Sequence, residues 1–280
     1  MDATKKSKLK LIGSVLIKLR VQKEIKVLGN GGEALYGLIL DILSVNNRNL
    51  SKEIQDSKKE KPLTISPFLK GTKSSQGYSL LFPNTIASFR ITYLKEEILE
   101  PIIREFLSIR EKSLKFSKGE IFVERVDWQQ GKKAGFTSFE EIYSRAQDER
   151  KVIMEFCSPT SLQSKDKKNL FPLPEHVFGS LQKKWNAFSG IKIPFKIQEE
   201  FEKINLTQFR LKTESVNLSK HKIMGFMGKV AYELPENMNK DRKSAINALA
   251  DFAFYSGVGG KTYMGLGQAR RLNNPAKNNP

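Results

Sequence analysis

Apolar and polar positions alternate along the start of the chain. Leu9, Leu11, Gly13, Val15, Ile17, Leu19 and Val21 fall on one face and Lys8, Lys10, Lys18 and Arg20 on the other, the period of a half-buried strand. Gly29-Asn30-Gly31-Gly32 predicts a turn, after which Leu35, Leu38, Ile39, Ile42 and Leu43 recur at helical spacing. From 46 to 61 the pattern dissolves into polar and charged residues, which predicts a long loop with one helical turn at 51–55. Short strands follow at 63–68, 78–82 and 85–93. A helix over 95–110 carries Ile98, Ile102, Phe106 and Ile109 inward, and a strand at 120–128 closes the series. The order is β-α-β-β-α-β, the ferredoxin-like unit.

That order then repeats. A strand at 151–157 alternates around Val152, Met154 and Phe156, and a helix at 174–188 turns Val177, Leu181, Trp185 and Phe188 inward. A hairpin at 209–218 and 223–233, a helix at 241–254 and a last strand at 266–271 complete the second set. The expected architecture is α+β: tandem ferredoxin-like (RRM-like) domains at 1–135 and 136–280, the second carrying a glycine-rich loop at 257–267. A joint with a short helix is expected at 131–149 and a frayed tail from Asn273.

Composition narrows the partner. Among 280 residues, 48 Lys+Arg stand against 30 Asp+Glu, a net charge of +18, which points to a polyanion such as nucleic acid. No run is apolar enough to span a bilayer, and the basic Lys5-Lys6-Ser7-Lys8 start lacks the apolar block of an export signal, so a soluble cytoplasmic protein without membrane contact is expected. The single cysteine, Cys157, allows no intramolecular disulfide and is expected in a packed strand. No His-Glu-x-x-His, cysteine pair or carboxylate cluster with ligand spacing occurs, so neither metal nor cofactor is expected. RNA-recognition folds share this topology, but no aromatic run marks the central strands, which leaves basic edges as the RNA surface. The candidates are Lys183 and Lys184 on the 174–188 helix, and Arg210, Lys212, Lys220 and Lys222 on the hairpin, whose alternative is a solvated face. Lys165-Asp166-Lys167-Lys168 is as readily mobile surface as contact.

The densest chemistry lies at Phe254–Arg271. Gly257, Gly259 and Gly260 predict a loop whose N–H groups approach a phosphate, with Lys261, Arg270 and Arg271 supplying charge. The loop follows a helix and has Tyr255 where a nucleotide-binding phosphate loop needs its first glycine, which argues against that motif.

Ser256-Gly257-Val258-Gly259-Gly260-Lys261-Thr262, continuing through Gly265, Gly267, Gln268 and Arg270, resembles the C-terminal signature of the CRISPR-associated endoribonucleases that cut precursor crRNA within its repeats, the sixth Cas family. Ser158-Pro159-Thr160-Ser161, Phe171-Pro172-Leu173-Pro174, Val177-Phe178-Gly179-Ser180-Leu181, Lys184-Trp185-Asn186 and Pro62-Leu63-Thr64-Ile65-Ser66-Pro67 are similar to further parts of it. The resemblance implies a metal-independent nuclease that leaves a 2′,3′-cyclic phosphate. It adds Thr262 and Gln268 to the RNA contacts and implies precursor and mature crRNA as partners, with CRISPR effector subunits and a homodimer as further ones. The family commonly has histidines at or after its first helix, where this chain holds Tyr36 and Gln55. A slow nuclease is therefore expected, with Tyr36 and Lys52 moving protons or stabilising charge, their pKa values lowered by clustered cations, and Gln55 orienting the attack. The alternative has Tyr36 as packing and Lys52 as solvated, in a repeat-binding protein that does not cut. His176 and His221 read as surface or capping residues; His221, between Lys220 and Lys222, is the better candidate of the two for proton transfer.

Overall fold

The structure, a computed structural model, describes residues 10–108, 113–129, 131, 134–164, 167–194 and 196–273. The alternating start forms β1 (Leu11–Val21), with Val15, Ile17, Leu19 and Val21 buried. A short β2 (Ile25–Leu28) leads through Gly31, in the left-handed region at φ 80, into α1 (Gly32–Asn46). The stretch expected to be a loop with one helical turn is instead a nine-residue helix, α2 (Arg48–Asp56). Its backbone ends are satisfied by residues outside its apolar pattern: the Asn47 side chain accepts from the Leu50 N–H at one end. At the other, Lys61 Nζ donates to the carbonyls of Ile54, Gln55 and Ser57. Leu50 and Ile54, one turn apart, are its only buried apolar residues, too few to show a period.

Next come β3 (Leu63–Ile65), β4 (Thr72–Ser75), β5 (Tyr78–Leu81), β6 (Ala87–Tyr93), α3 (Leu99–Ser108), β7 (Ser113–Phe116), β8 (Gly119–Asp127) and β9 (Gly135–Ser138). The first sheet runs β3-β6-β1-β8-β7 with antiparallel neighbours, and β9 pairs with the start of β1. β3, β6, β1 and β8 are the four strands of the ferredoxin-like unit. β2, β5 and β4 form a separate small sheet: β5 is the strand expected at 78–82, whereas β2 and β4 were not visible as strands, β4 being Thr-Lys-Ser-Ser with no apolar face.

The second half begins with α4 (Phe139–Arg145), then β10 (Lys151–Thr160), β11 (Leu162–Ser164), β12 (Lys167–Asn169), α5 (Pro174–Phe188), α6 (Gln198–Phe201), β13 (Asn205–Asn217), β14 (Lys222–Glu233), α7 (Lys240–Ser256) and β15 (Ala269–Leu272). The sheet order β13-β14-β10-β15 repeats the arrangement of the first, so the expected tandem ferredoxin-like fold is present. Cys157 lies in β10 as expected, but at an exposed position of the strand. Lys165 and Asp166, the side chains of Lys167 and Lys168, and the tail from 274 lie outside the described residues.

Each sheet has its own core. One gathers β1, α1, β6 and α3 around Ile17, Ile39, Phe89 and Phe106; the other gathers α5, α7, β10 and β14 around Trp185, Phe252, Phe156 and Phe226. The connecting segment serves both, since β9 pairs with β1 while Phe139 and Ile142 of α4 enter the second core. Burying Trp185 fully is worth about 2–3 kcal/mol by area, and its indole N–H donates to the Ile191 carbonyl.

Candidate nucleic-acid interface

The chain crosses between the two halves after α7. The helix stops at Gly257, φ 61, whose N–H still donates to the Ala253 carbonyl. Gly259 also holds a left-handed φ, 78, and a Cβ there would lie 2.4 Å from the Ser161 carbonyl oxygen. Only glycine lets these two stretches of backbone touch.

The glycine amides of this loop are taken up by the protein itself. The Val258 N–H donates to the Gly267 carbonyl, Gly259 to Ser180 Oγ, Gly260 to the Ser161 carbonyl, Gly265 to the Ile65 carbonyl and Gly267 to the Pro159 carbonyl, all at 2.8 to 3.1 Å. This corrects the expectation that Gly257, Gly259 and Gly260 cradle a phosphate with their N–H groups: the glycines make a seam between backbones. Thr262 and Gln268 are buried in the same seam, and Gln268 Oε1 accepts from Arg90 of β6 at 2.7 Å.

Lys184 is also corrected as an outward-reaching cation. It is 3% exposed, and its ammonium donates to the Ser256 and Gly257 carbonyls and to Thr262 Oγ1 at 2.9 to 3.3 Å. Burial brings its pKa down to about 8, while two carbonyls at the C-terminal end of α7 and the Thr262 hydroxyl match its three protons. Arg270 and Arg271 are held in ion pairs, Arg270 with Glu155 and Arg271 with Glu149 and Asp251. The two arginines thus belong to the frame of β15.

What remains open to solvent is a cleft of about 680 Å3. Its walls are the α2–β3 linker with Lys58, Lys59 and Lys61, the outer face of α5 with His176 and Lys183, and the loop at Gly259, Gly260 and Lys261. Lys183 is exposed and pairs with Glu60 across the cleft at 2.8 Å. Lys261 takes a left-handed φ of 55, uncommon for a residue with a Cβ, and its Nζ lies 3.0 Å from His221 Nε2. The sequence signals for this cleft were present in Lys183 and Lys261, but the run Lys58-Lys59-Glu60-Lys61 had no periodicity to place it.

His221 is brought here by the β13–β14 hairpin. Leu218 packs with Val216, Ile223 and Leu266 in a small cluster under the tip, and the Ser219 N–H and Oγ both donate to the Glu33 carboxylate of α1 at 2.7 Å. Arg210, Lys212, Lys220 and Lys222 are exposed along the same hairpin, with Lys212 paired to Glu214.

The three residues expected to carry the chemistry separate. Lys52 and Gln55 are exposed on α2, whereas Tyr36 is buried on α1, its ring centroid 4.7 Å from that of Tyr263. Its hydroxyl has no hydrogen-bond partner. Burial, with Tyr263 adding to it, pushes the Tyr36 pKa up to about 12, opposite to the lowering expected from nearby cations. A phenol of that kind stays protonated at neutral pH, so Tyr36 is corrected from proton carrier to packing residue.

The site is thus a basic cleft along the seam of two ferredoxin-like halves, with further basic residues on the β13–β14 hairpin. A protein-family model described as CRISPR-associated endoribonuclease Cas6 matches residues 154–269. The Cas6 endoribonuclease of Streptococcus thermophilus is 26% identical over 179 residues, 62% of this chain and 70% of its own length. That of Mycobacterium tuberculosis is 28% identical over 137 residues, covering 48% of this chain and 43% of its own. Among solved structures, a product complex of a Thermus thermophilus Cas6 is 26% identical and superimposes with a TM-score of 0.80 over 93% of this chain and all of that one. The chain is thus similar to the Cas6 family of CRISPR-associated endoribonucleases, by family model over its second half and by fold over nearly its whole length.

Proposed function

We propose that this protein is a metal-independent endoribonuclease that binds CRISPR repeat RNA and cuts precursor crRNA. In this reading a 2′-hydroxyl attacks the adjacent phosphate, the 5′-oxygen leaves, and the upstream product ends in a 2′,3′-cyclic phosphate. The observation that carries it is the cleft at the seam, where Lys58, Lys59, Lys183 and Lys261 converge from three separate elements. Such a cleft holds a phosphodiester in one geometry, and orientation of an in-line attack is the larger part of what a metal-free site supplies. Lys52 and Gln55 face solvent on α2, the helix that feeds the cleft's basic wall, and there they contact the RNA backbone, Lys52 by charge and Gln55 by hydrogen bonds. Arg210, Lys212, Lys220 and Lys222 carry the flanking strand. The mature crRNA stays bound and passes to CRISPR effector subunits in the cytoplasm, from a monomer or a homodimer.

The test is single-turnover cleavage of repeat-containing RNA with and without chelator. Product with a 2′,3′-cyclic phosphate end, undiminished by chelator, supports the reading. Tight binding with no product at any pH would leave a repeat-binding protein that does not cut, and loss of product in chelator would remove the metal-free mechanism.

A further inference from the structure

We infer that the group that takes the proton from the attacking 2′-hydroxyl is His221, an imidazole delivered by the hairpin of the second half to the first turn of α1 in the first half. This rests on the reading of the chain as an RNA-cleaving enzyme and adds to it the residue that starts the reaction.

Three contacts fix the position. Ser219 is clamped to Glu33 by two bonds of 2.7 Å, so the hairpin tip sits at the start of α1. Leu218, beneath the tip, packs on Leu266 of the glycine loop, which sets the height of the tip over that loop. His221 Nε2 then meets Lys261 Nζ at 3.0 Å, and Lys261 lines the cleft. The imidazole is exposed, beside the cleft that Lys261 lines, and so is accessible to solvent. None of these links could be read from the sequence, where Glu33, His221 and Lys261 are remote from one another.

The chemistry follows from the donor inventory. An ammonium can only donate, so the Lys261 contact makes Nε2 the acceptor and leaves the ring proton on Nδ1. That is the tautomer of a base. When a phosphate enters the cleft, Lys261 turns its protons to the non-bridging oxygens, and Nε2 becomes available to the neighbouring 2′-hydroxyl. The imidazole takes that proton as the 2′-oxygen bonds to phosphorus, and the bond from phosphorus to the 5′-oxygen breaks. The 5′-oxygen is protonated by water, and the imidazolium returns its proton to the hydroxide left behind, so nothing is consumed. Lys261 stabilises the charge that builds on the non-bridging oxygens. The charged groups around the imidazole are Lys220 and Lys222 on the hairpin, Lys261 on the loop and Glu33 on α1.

The experiment compares wild type with His221→Gln and His221→Ala on repeat-containing RNA, in chelator, under single turnover, with affinity measured in parallel. The expected result is a loss of cleavage rate of roughly 10²- to 10⁴-fold in both variants with affinity within about threefold of wild type. Added imidazole should restore part of the rate to His221→Ala and none to wild type. The wild-type rate should rise with pH through a group that is missing from the profile of His221→Gln. Unchanged cleavage in folded His221→Gln overturns the assignment of the base and leaves the endoribonuclease reading intact. A wild type that binds and never cuts overturns both.

Discussion

Gly259 and Gly260 are neighbours with opposite tolerances. At Gly259 any Cβ needs φ 78 and meets the Ser161 carbonyl at 2.4 Å, so Gly259→Ala should cost at least about 1–2 kcal/mol, measured as a fall in unfolding free energy. At Gly260 an added Cβ finds nothing within 4 Å, and Gly260→Ala should leave stability within about 0.5 kcal/mol. The loop motif marked both positions equally, because a string of glycines shows where backbone comes close to something and not what that something is. The same holds at Lys184, found by its motif and turned inward by the fold. Its pKa of about 8 in the folded chain against 10.5 as the ordinary value means that the unfolded chain binds more protons between those two pH values. Stability conferred by this group is therefore fully present above pH 10.5 and lost as pH falls through 8, a swing of about 3 kcal/mol. Thermal melts of wild type and Lys184→Met should show the wild type gaining on the variant between pH 8 and 10.5. A difference independent of pH would mean that the ammonium is not desolvated.

Elements were legible where a single face is buried. β1, α1 and α5 were visible as periods of two or 3.6, because one side packs on a core and the other is more open to water, whereas α7, buried nearly all round from Ala245 to Ser256, and the mostly exposed β13 were read from their apolar runs and alternation alone. α2 was not, since its ends are tied by Asn47 and Lys61 and its middle is polar. Removing the tie gives a prediction at this scale. Lys61→Met should free the carbonyls of Ile54, Gln55 and Ser57 and cost about 1–2 kcal/mol locally, seen as faster hydrogen exchange in the last turn of α2 with little change at β1. The hairpin carries a second. Glu33→Gln keeps the shape of the clamp on Ser219 and weakens it, so cleavage should fall more than stability does, while Glu33→Ala should lower both.

For the molecule as a whole, the net charge of +18 announced a polyanion, yet it overstated the number of cations available to one. Arg270, Arg271 and Lys184 are occupied by carboxylates or carbonyls of the protein. If the cleft and hairpin meet about six phosphates, log K against log salt should fall with a slope of about −4. Lys220→Ala should reduce that slope by nearly one, and Arg270→Gln should leave the slope alone while lowering the melting temperature. The seam between the halves carries a consequence for how the chain is made. Arg90 is buried in β6 with its pKa brought down to about 10 by desolvation, and the oxygen that its guanidinium meets belongs to Gln268, 178 residues later. Thr92 likewise donates to the Tyr255 carbonyl. A ribosome therefore releases the first sheet long before the groups that cover its back exist, and for that interval a charged side chain and a polar strand face stay hydrated. Until residue 268 has emerged, Arg90 has no Gln268 oxygen to meet, and that face of β6 keeps its water.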